Sequence, residues 1–187
     1  MFLPYPSSIT TTEYNYRPQK HKLIWVGNDP VRKGLIYCAK AAKILKTKYP
    51  DLDFRIIGGG TSIFENLPEF KDLHFVGRLN KEELMNEFQT AEAYVFPTLF
   101  EGFAGTVIEA ASCGCPIITT EAAGTDTKNF PAIYIPTRDI EAIVSSVEKL
   151  FHDKNYRNQL SIQTYNYAKE LRIDSYKNKL KEYFETI

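Results

Sequence analysis

Apolar residues along this chain fall into short continuous runs, separated by stretches in which they recur at helical intervals. Lys22–Gly27 (KLIWVG) is an apolar run ending in glycine, and its pattern predicts a buried strand. From Gly34 to Tyr49, Leu35, Cys38, Ala39, Ala42 and Leu45 share one helical face, lysines occupy the other, and Pro50 stops the helix. Asp53–Gly58 and Leu73–Gly77 predict the second and third strands. Asn80–Thr90 reads as a helix, with Asn80 at the N-cap and Glu83 three residues on, a capping box. Ala91–Phe96 is the fourth strand, Gly105–Cys113 a helix, Pro116–Thr119 and Ala132–Ile135 the fifth and sixth strands. Helices over Asp139–His152, Lys154–Leu171 and Asp174–Ile187 complete the pattern. Strands alternating with helices predict an α/β fold: a Rossmann-like, parallel six-stranded sheet flanked by helices. Ligands of such sheets bind beyond the C-terminal ends of the strands.

Residues 1–20 break the pattern. Pro4, Pro6, Pro18, two serines and a run of threonines carry no helical period. They are expected to form an extended lead-in, with 21–187 as the folded domain. A chain of 187 residues suits one compact domain with a sizeable core. Lys+Arg and Asp+Glu are equal at 23 each, which gives no electrostatic case for nucleic acid. Cys38, Cys113 and Cys115 lack zinc or thioredoxin spacing and read as reduced, packed thiols. No segment approaches the ~18–20 apolar residues of a membrane span. A cytoplasmic protein is expected, with peripheral association at the inner face of the membrane left open.

The segment richest in chemistry runs from Phe96 to Ala110 (FPTLFEGFAGTVIEA). It leaves an apolar strand, passes through a glycine-containing loop and opens a helix, whose free N–H groups and positive dipole end suit a phosphate. Gly102 and Gly105 would admit a ligand close to the backbone. Glu101 would repel phosphate unless it faces another part of the ligand, such as sugar hydroxyls. Glu109, one turn into an apolar helix, could accept both hydroxyls of a ribose. The plainer readings are a dipole-favouring Glu101 and an exposed helical Glu109. Lys33 opposes the dipole of the helix it precedes, a small cost that favours a bound anion.

Glu101 and Glu109, spaced as E-x7-E with Gly102-Phe103 between, resemble the signature of retaining GT-B glycosyltransferases, glycosyltransferases group 1 (family 4). Val26-Gly27 with Arg32-Lys33-Gly34 resembles that family's phosphate loop, Val76-Gly77-Arg78 its base-side segment, and Ala110–Thr119 (AASCGCPIIT) its following run. The resemblance extends from about Lys22 to the end of the chain. It implies the C-terminal, donor-binding half of a GT-B fold, which binds a nucleoside diphosphate sugar, retains configuration and needs no metal or other cofactor. It implies catalytic-site roles for Lys33, on the diphosphate, and Glu101, on the transferred sugar. N–H groups of Phe103, Ala104, Gly105 and Thr106 would bind phosphate beside Gly102, Glu109 would hold ribose, and the backbone around Arg78 and Leu79 would contact the base, with Gly27, Asn28 and Arg32 also at the donor. Asn28 stands where the family often has arginine, so one charge partner of the phosphate is either lost or supplied by Arg32; Ala104 stands where the family usually has glycine, which makes the loop slightly less permissive.

The family's N-terminal acceptor domain has no counterpart in these residues. The chain is therefore expected to need that domain, or a partner chain carrying it, for transfer. Any membrane association is expected through that missing half. An epimerase-like enzyme acting on nucleotide sugars and a non-catalytic nucleotide-sugar-binding module are the alternatives. Asp51-Leu52-Asp53, placed before a strand, is expected to do turn and cap chemistry, and His21, His74 and His152 have no metal-ligand spacing.

Overall fold

The computed structural model describes residues 13–171 together with Lys181 and Phe184, so the helix expected over Asp174–Ile187 lies largely outside the described residues. Strands β1 (Lys22–Val26), β2 (Asp53–Ile57), β3 (His74–Gly77), β4 (Ala93–Phe96), β5 (Ile117–Thr119) and β6 (Ile133–Tyr134) form one sheet in the order β3-β2-β1-β4-β5-β6. Every pairing is parallel. The strand order reverses between β1 and β4, and this topological switch opens a crevice at the strands' C-terminal ends.

Helices α1 (Leu35–Lys48), α2 (Lys81–Thr90), α3 (Gly105–Ser112), α4 (Ile140–His152) and α5 (Lys154–Glu170) cover both faces of the sheet. Successive strand residues point to opposite faces. Leu23 and Trp25 of β1 therefore join Leu35, Leu45, Ile143 and Val147 in one core, beneath α1 and α4. Ile24 and Val26 join Phe88, Tyr94, Val107 and Ile108 in the other, beneath α2 and α3. Leu160 of α5 packs into the first core and Ala168 into the second, so α5 crosses from one layer to the other.

The expected capping box is present: Asn80 Oδ1 accepts the Glu83 N–H, and Glu83 Oε2 accepts the Asn80 N–H. Asp139 and Asp153 cap α4 and α5 with one bond each, accepting the Ala142 and Tyr156 N–H groups. Gly34, expected inside α1, lies ahead of it at φ 72°. A side chain there would collide with the carbonyl oxygen of Pro97, at 2.1 Å from an added Cβ. Ala91 and Glu92 lie before β4 rather than in it, although the Glu92 N–H still bonds to the Lys22 carbonyl. Single-turn 3-10 helices at Ser62–Phe64, Pro68–Phe70 and Glu121–Ala123 were not expected.

The described end of the lead-in is pinned to the domain. The Arg17 and Gln19 N–H groups donate to the Gln89 and Thr90 carbonyls at the end of α2. Tyr14 meets Ser161 and stacks edge-on against Tyr165 of α5. At the N-terminal end of the strands, Glu92 (4 % exposed) pairs with Arg157 (6 % exposed) and also accepts the His21 N–H. Burial pushes the Glu92 carboxyl up, while the His21 N–H and the Arg157 charge pull against it. His21 also meets Asp51 at 2.7 Å, and Asp53 meets His74 at 3.0 Å, which places this acidic pair at the end of the sheet away from the crevice. Among the described residues, no helix is long and apolar enough to cross a membrane.

All three cysteines are buried. Burial raises the Cys113 thiol to about 12 and pushes Cys38 and Cys115 well up. A thiol-reactive dye at about pH 8 should therefore label none of them in the folded protein and all three in denaturant. Rapid labelling of any one before unfolding would contradict this packing.

Candidate functional site

The crevice holds a cavity of about 580 Å³. Val26, Gly27 and Asn28 line it from the end of β1, and Ile57 and Gly58 from the end of β2. Asp29, Arg32 and Lys33 come from the turn before α1, Arg78 and Leu79 from beyond β3, Leu84 from α2 and Thr106 from α3.

The turn before α1 forms because Asp29 accepts locally. Its Oδ1 takes the Arg32 N–H at 3.1 Å, and its carbonyl takes the Lys33 N–H at 3.0 Å. Lys33 follows, with its stem laid across Gly27; a Cβ on Gly27 would stand 2.5 Å from Lys33 Cδ. The ammonium ends 3.1 Å from Glu101 Oε1 and 4.9 Å from the centre of the Phe96 ring. Arg32 reaches the same carboxylate, with Nη1 at 2.7 Å from Oε1. The guanidinium also bonds Asp29 Oδ2 through Nε (2.9 Å) and the Phe100 carbonyl through Nη1 (2.8 Å). Glu101 Oε1 lies at ion-pair distance from both cations, without a well-angled hydrogen bond. Contact with Glu101, then with Asp29, holds Arg32 more firmly protonated. The Arg32 N–H and guanidinium in turn hold the Asp29 carboxyl below its usual range.

The loops around the cavity are cross-tied. The Gly59 N–H donates to Asn28 Oδ1 at 2.8 Å, joining the loops after β1 and β2. The Gly27 N–H donates to the Ile57 carbonyl and the Gly58 N–H to the Gly77 carbonyl, each at 2.9 Å. The Leu99 N–H donates to the Arg32 carbonyl, also at 2.9 Å, joining the loops after β1 and β4. Gly58 sits at φ 137°, and an added Cβ would lie 1.9 Å from the Gly27 carbonyl oxygen.

Gly27, Asn28, Arg32, Lys33, Arg78, Leu79 and Thr106 of the expected set meet around this one cavity. Glu101 joins them through Arg32 and Lys33. Gly102 and Gly105 are exposed, with open space where a side chain would stand. The Ala104 N–H, offered to phosphate on sequence grounds, is already donated to the Ala123 carbonyl at 3.0 Å. Phe103 packs against the second core, and Glu109 is half-buried on α3; neither lines the cavity. Burial chiefly pushes the Tyr94 hydroxyl well up, and the charges of Glu109 and Glu101 push it further. That hydroxyl also meets Thr106 Oγ1 at 2.9 Å.

Asp29 was missed on sequence grounds, although Asp29-Pro30 is a turn-initiating pair and so carried a signal. Ile57 was also missed, because an apolar residue in a strand reads simply as core.

This parallel six-stranded sheet flanked by helices matches the Rossmann-like C-terminal domains of GT-B glycosyltransferases. The C-terminal domain of a glycosyl transferase group 1 family protein from Francisella tularensis has the same fold, with a TM-score of 0.71 and 19 % identity over 91 % of this chain and 97 % of that one. Residues 20–153 match the glycosyl transferases group 1 family, and the chain belongs to that family. The sulfoquinovosyl transferase of Arabidopsis thaliana is 26 % identical over 155 residues, 76 % of this chain and 29 % of the relative. An Escherichia coli protein, UDP-Gal:alpha-D-GlcNAc-diphosphoundecaprenol alpha-1,3-galactosyltransferase, is 27 % identical over 164 residues, 79 % of this chain and 42 % of the relative. The chain thus spans less than half the length of either.

Proposed function

We propose that this chain is the donor half of a retaining, family 4-type glycosyltransferase, binding a nucleoside diphosphate sugar for transfer to an acceptor hydroxyl. One observation carries the reading: Lys33 and Glu101 face each other at the C-terminal ends of β1 and β4, beside a cavity walled by Arg78 and Leu79. A diphosphate fits against Lys33 and the start of α3. On this reading the base lies toward Arg78 and Leu79, the transferred sugar toward Glu101, and the ribose by Thr106 on α3, with Glu109, one turn beyond the cavity wall, as the candidate to hold its hydroxyls. As the glycosidic bond to the diphosphate breaks, negative charge grows on the leaving oxygen. Lys33 and the helix start are preorganised to stabilise it. The charge on the diphosphate is met by these groups without a metal ion. The acceptor comes from an N-terminal domain or partner chain outside these residues. The UDP-galactose donor in the name of the Escherichia coli relative supports a nucleotide sugar as donor and a hexosyl group as cargo.

Calorimetric titration of the purified chain with UDP, GDP and ADP tests this. One of the three is expected to bind, and its sugar-linked form to bind as well. Absence of binding to all three would overturn the reading.

A further inference from the structure

Two cations share one carboxylate in this site, and they are held differently. The Arg32 guanidinium donates to Asp29 Oδ2 and the Phe100 carbonyl and forms an ion pair with Glu101 Oε1. The Lys33 ammonium contacts Glu101 and rests over the Phe96 ring. A flexible ammonium can turn toward a new anion, whereas a planar guanidinium fixed on two sides cannot do so without breaking both bonds. When Lys33 turns away, Glu101 would remain almost buried, its side chain 11 % exposed, next to an arriving diphosphate. An unneutralised carboxylate there would oppose that anion.

We propose that Arg32 is a positioning residue rather than a phosphate ligand: clamped by Asp29, it neutralises Glu101 and frees Lys33 for the diphosphate. The inference rests on the donor reading above. It gives the charge at position 32 a task distinct from replacing the arginine absent at Asn28. It also gives Asp29, a carboxylate on the wall of an anion site, a reason to be there, since its charge is spent on Arg32.

A double-mutant cycle on the full chain tests it, with binding of whichever of UDP, GDP or ADP the wild type prefers as the readout. Arg32→Ala is expected to weaken binding about five- to tenfold, because Glu101 then holds Lys33 alone. In the Glu101→Gln background, where there is no charge to neutralise, the same substitution should change affinity by less than about twofold. Asp29→Asn, which loosens the guanidinium without removing it, runs the same cycle in parallel, and thermal unfolding checks that each variant folds. An equal loss in both backgrounds would make Arg32 a direct phosphate ligand and overturn the proposal, as would no loss in either. A wild-type chain that binds none of the three nucleotides overturns the donor reading itself, and this inference with it.

Discussion

Lys33→Ala is expected to weaken nucleoside diphosphate binding by roughly tenfold to more than a hundredfold, the range for losing one hydrogen bond to a charged group. The effect should sit in affinity rather than in folding. The Lys33 ammonium is tied to Glu101 and Phe96 at the edge of the crevice, and Arg32 stays in place to balance the carboxylate. Stability should fall by less than the roughly 3–5 kcal/mol of breaking a buried pair outright, because Arg32 still neutralises the nearly buried Glu101. Calorimetry and denaturant unfolding on the same variant separate the two. A loss of affinity below about threefold would place the diphosphate away from Lys33.

Glu92→Ala is expected to cost roughly 3–5 kcal/mol of folding stability, the usual penalty for breaking a buried ion pair from one side. The substitution leaves Arg157 charged and buried, without its partner, and removes the acceptor of the His21 N–H. Arg157 also donates to the Leu150 carbonyl, so this pair fastens α5 to the end of α4 and to the start of β4. Set against a typical total of about 5–15 kcal/mol, such a loss would leave the domain marginal. Glu92→Gln keeps an acceptor and should cost less. Urea melts would show the order, and a Glu92→Ala loss under roughly 1 kcal/mol would mean the pair is solvated and of little consequence.

The sheet was legible because β1 and β4 are apolar on both faces, as only covered parallel strands are, and because Asn80 and Glu83 mark a helix start within four residues. The single-turn helix at Ser62–Phe64 is too short to show a period, so no pattern could reveal it. Lys33 and Glu101 were legible as residue types in a suggestive order. Their direct contact was not, because it depends on β1 lying beside β4, where Leu23 pairs with Ala93, far away in sequence. Arg157 and Glu92 illustrate the same limit. Nothing in the pattern singles out either one, and only the crossing of α5 between the two layers brings them together in the interior.

The cross-ties between the loops around the crevice bear on how a ligand is received. Asn28 fixes the backbone at Gly59, Arg32 fixes it at Leu99, and Ile57 and Gly77 fix it at Gly27 and Gly58. A cradle braced from four sides loses little backbone freedom on association, so most of the binding enthalpy would report contacts rather than ordering. Its selectivity would be that of a mould already set, expressed on entry, with adjustment confined to the reach of a single lysine side chain.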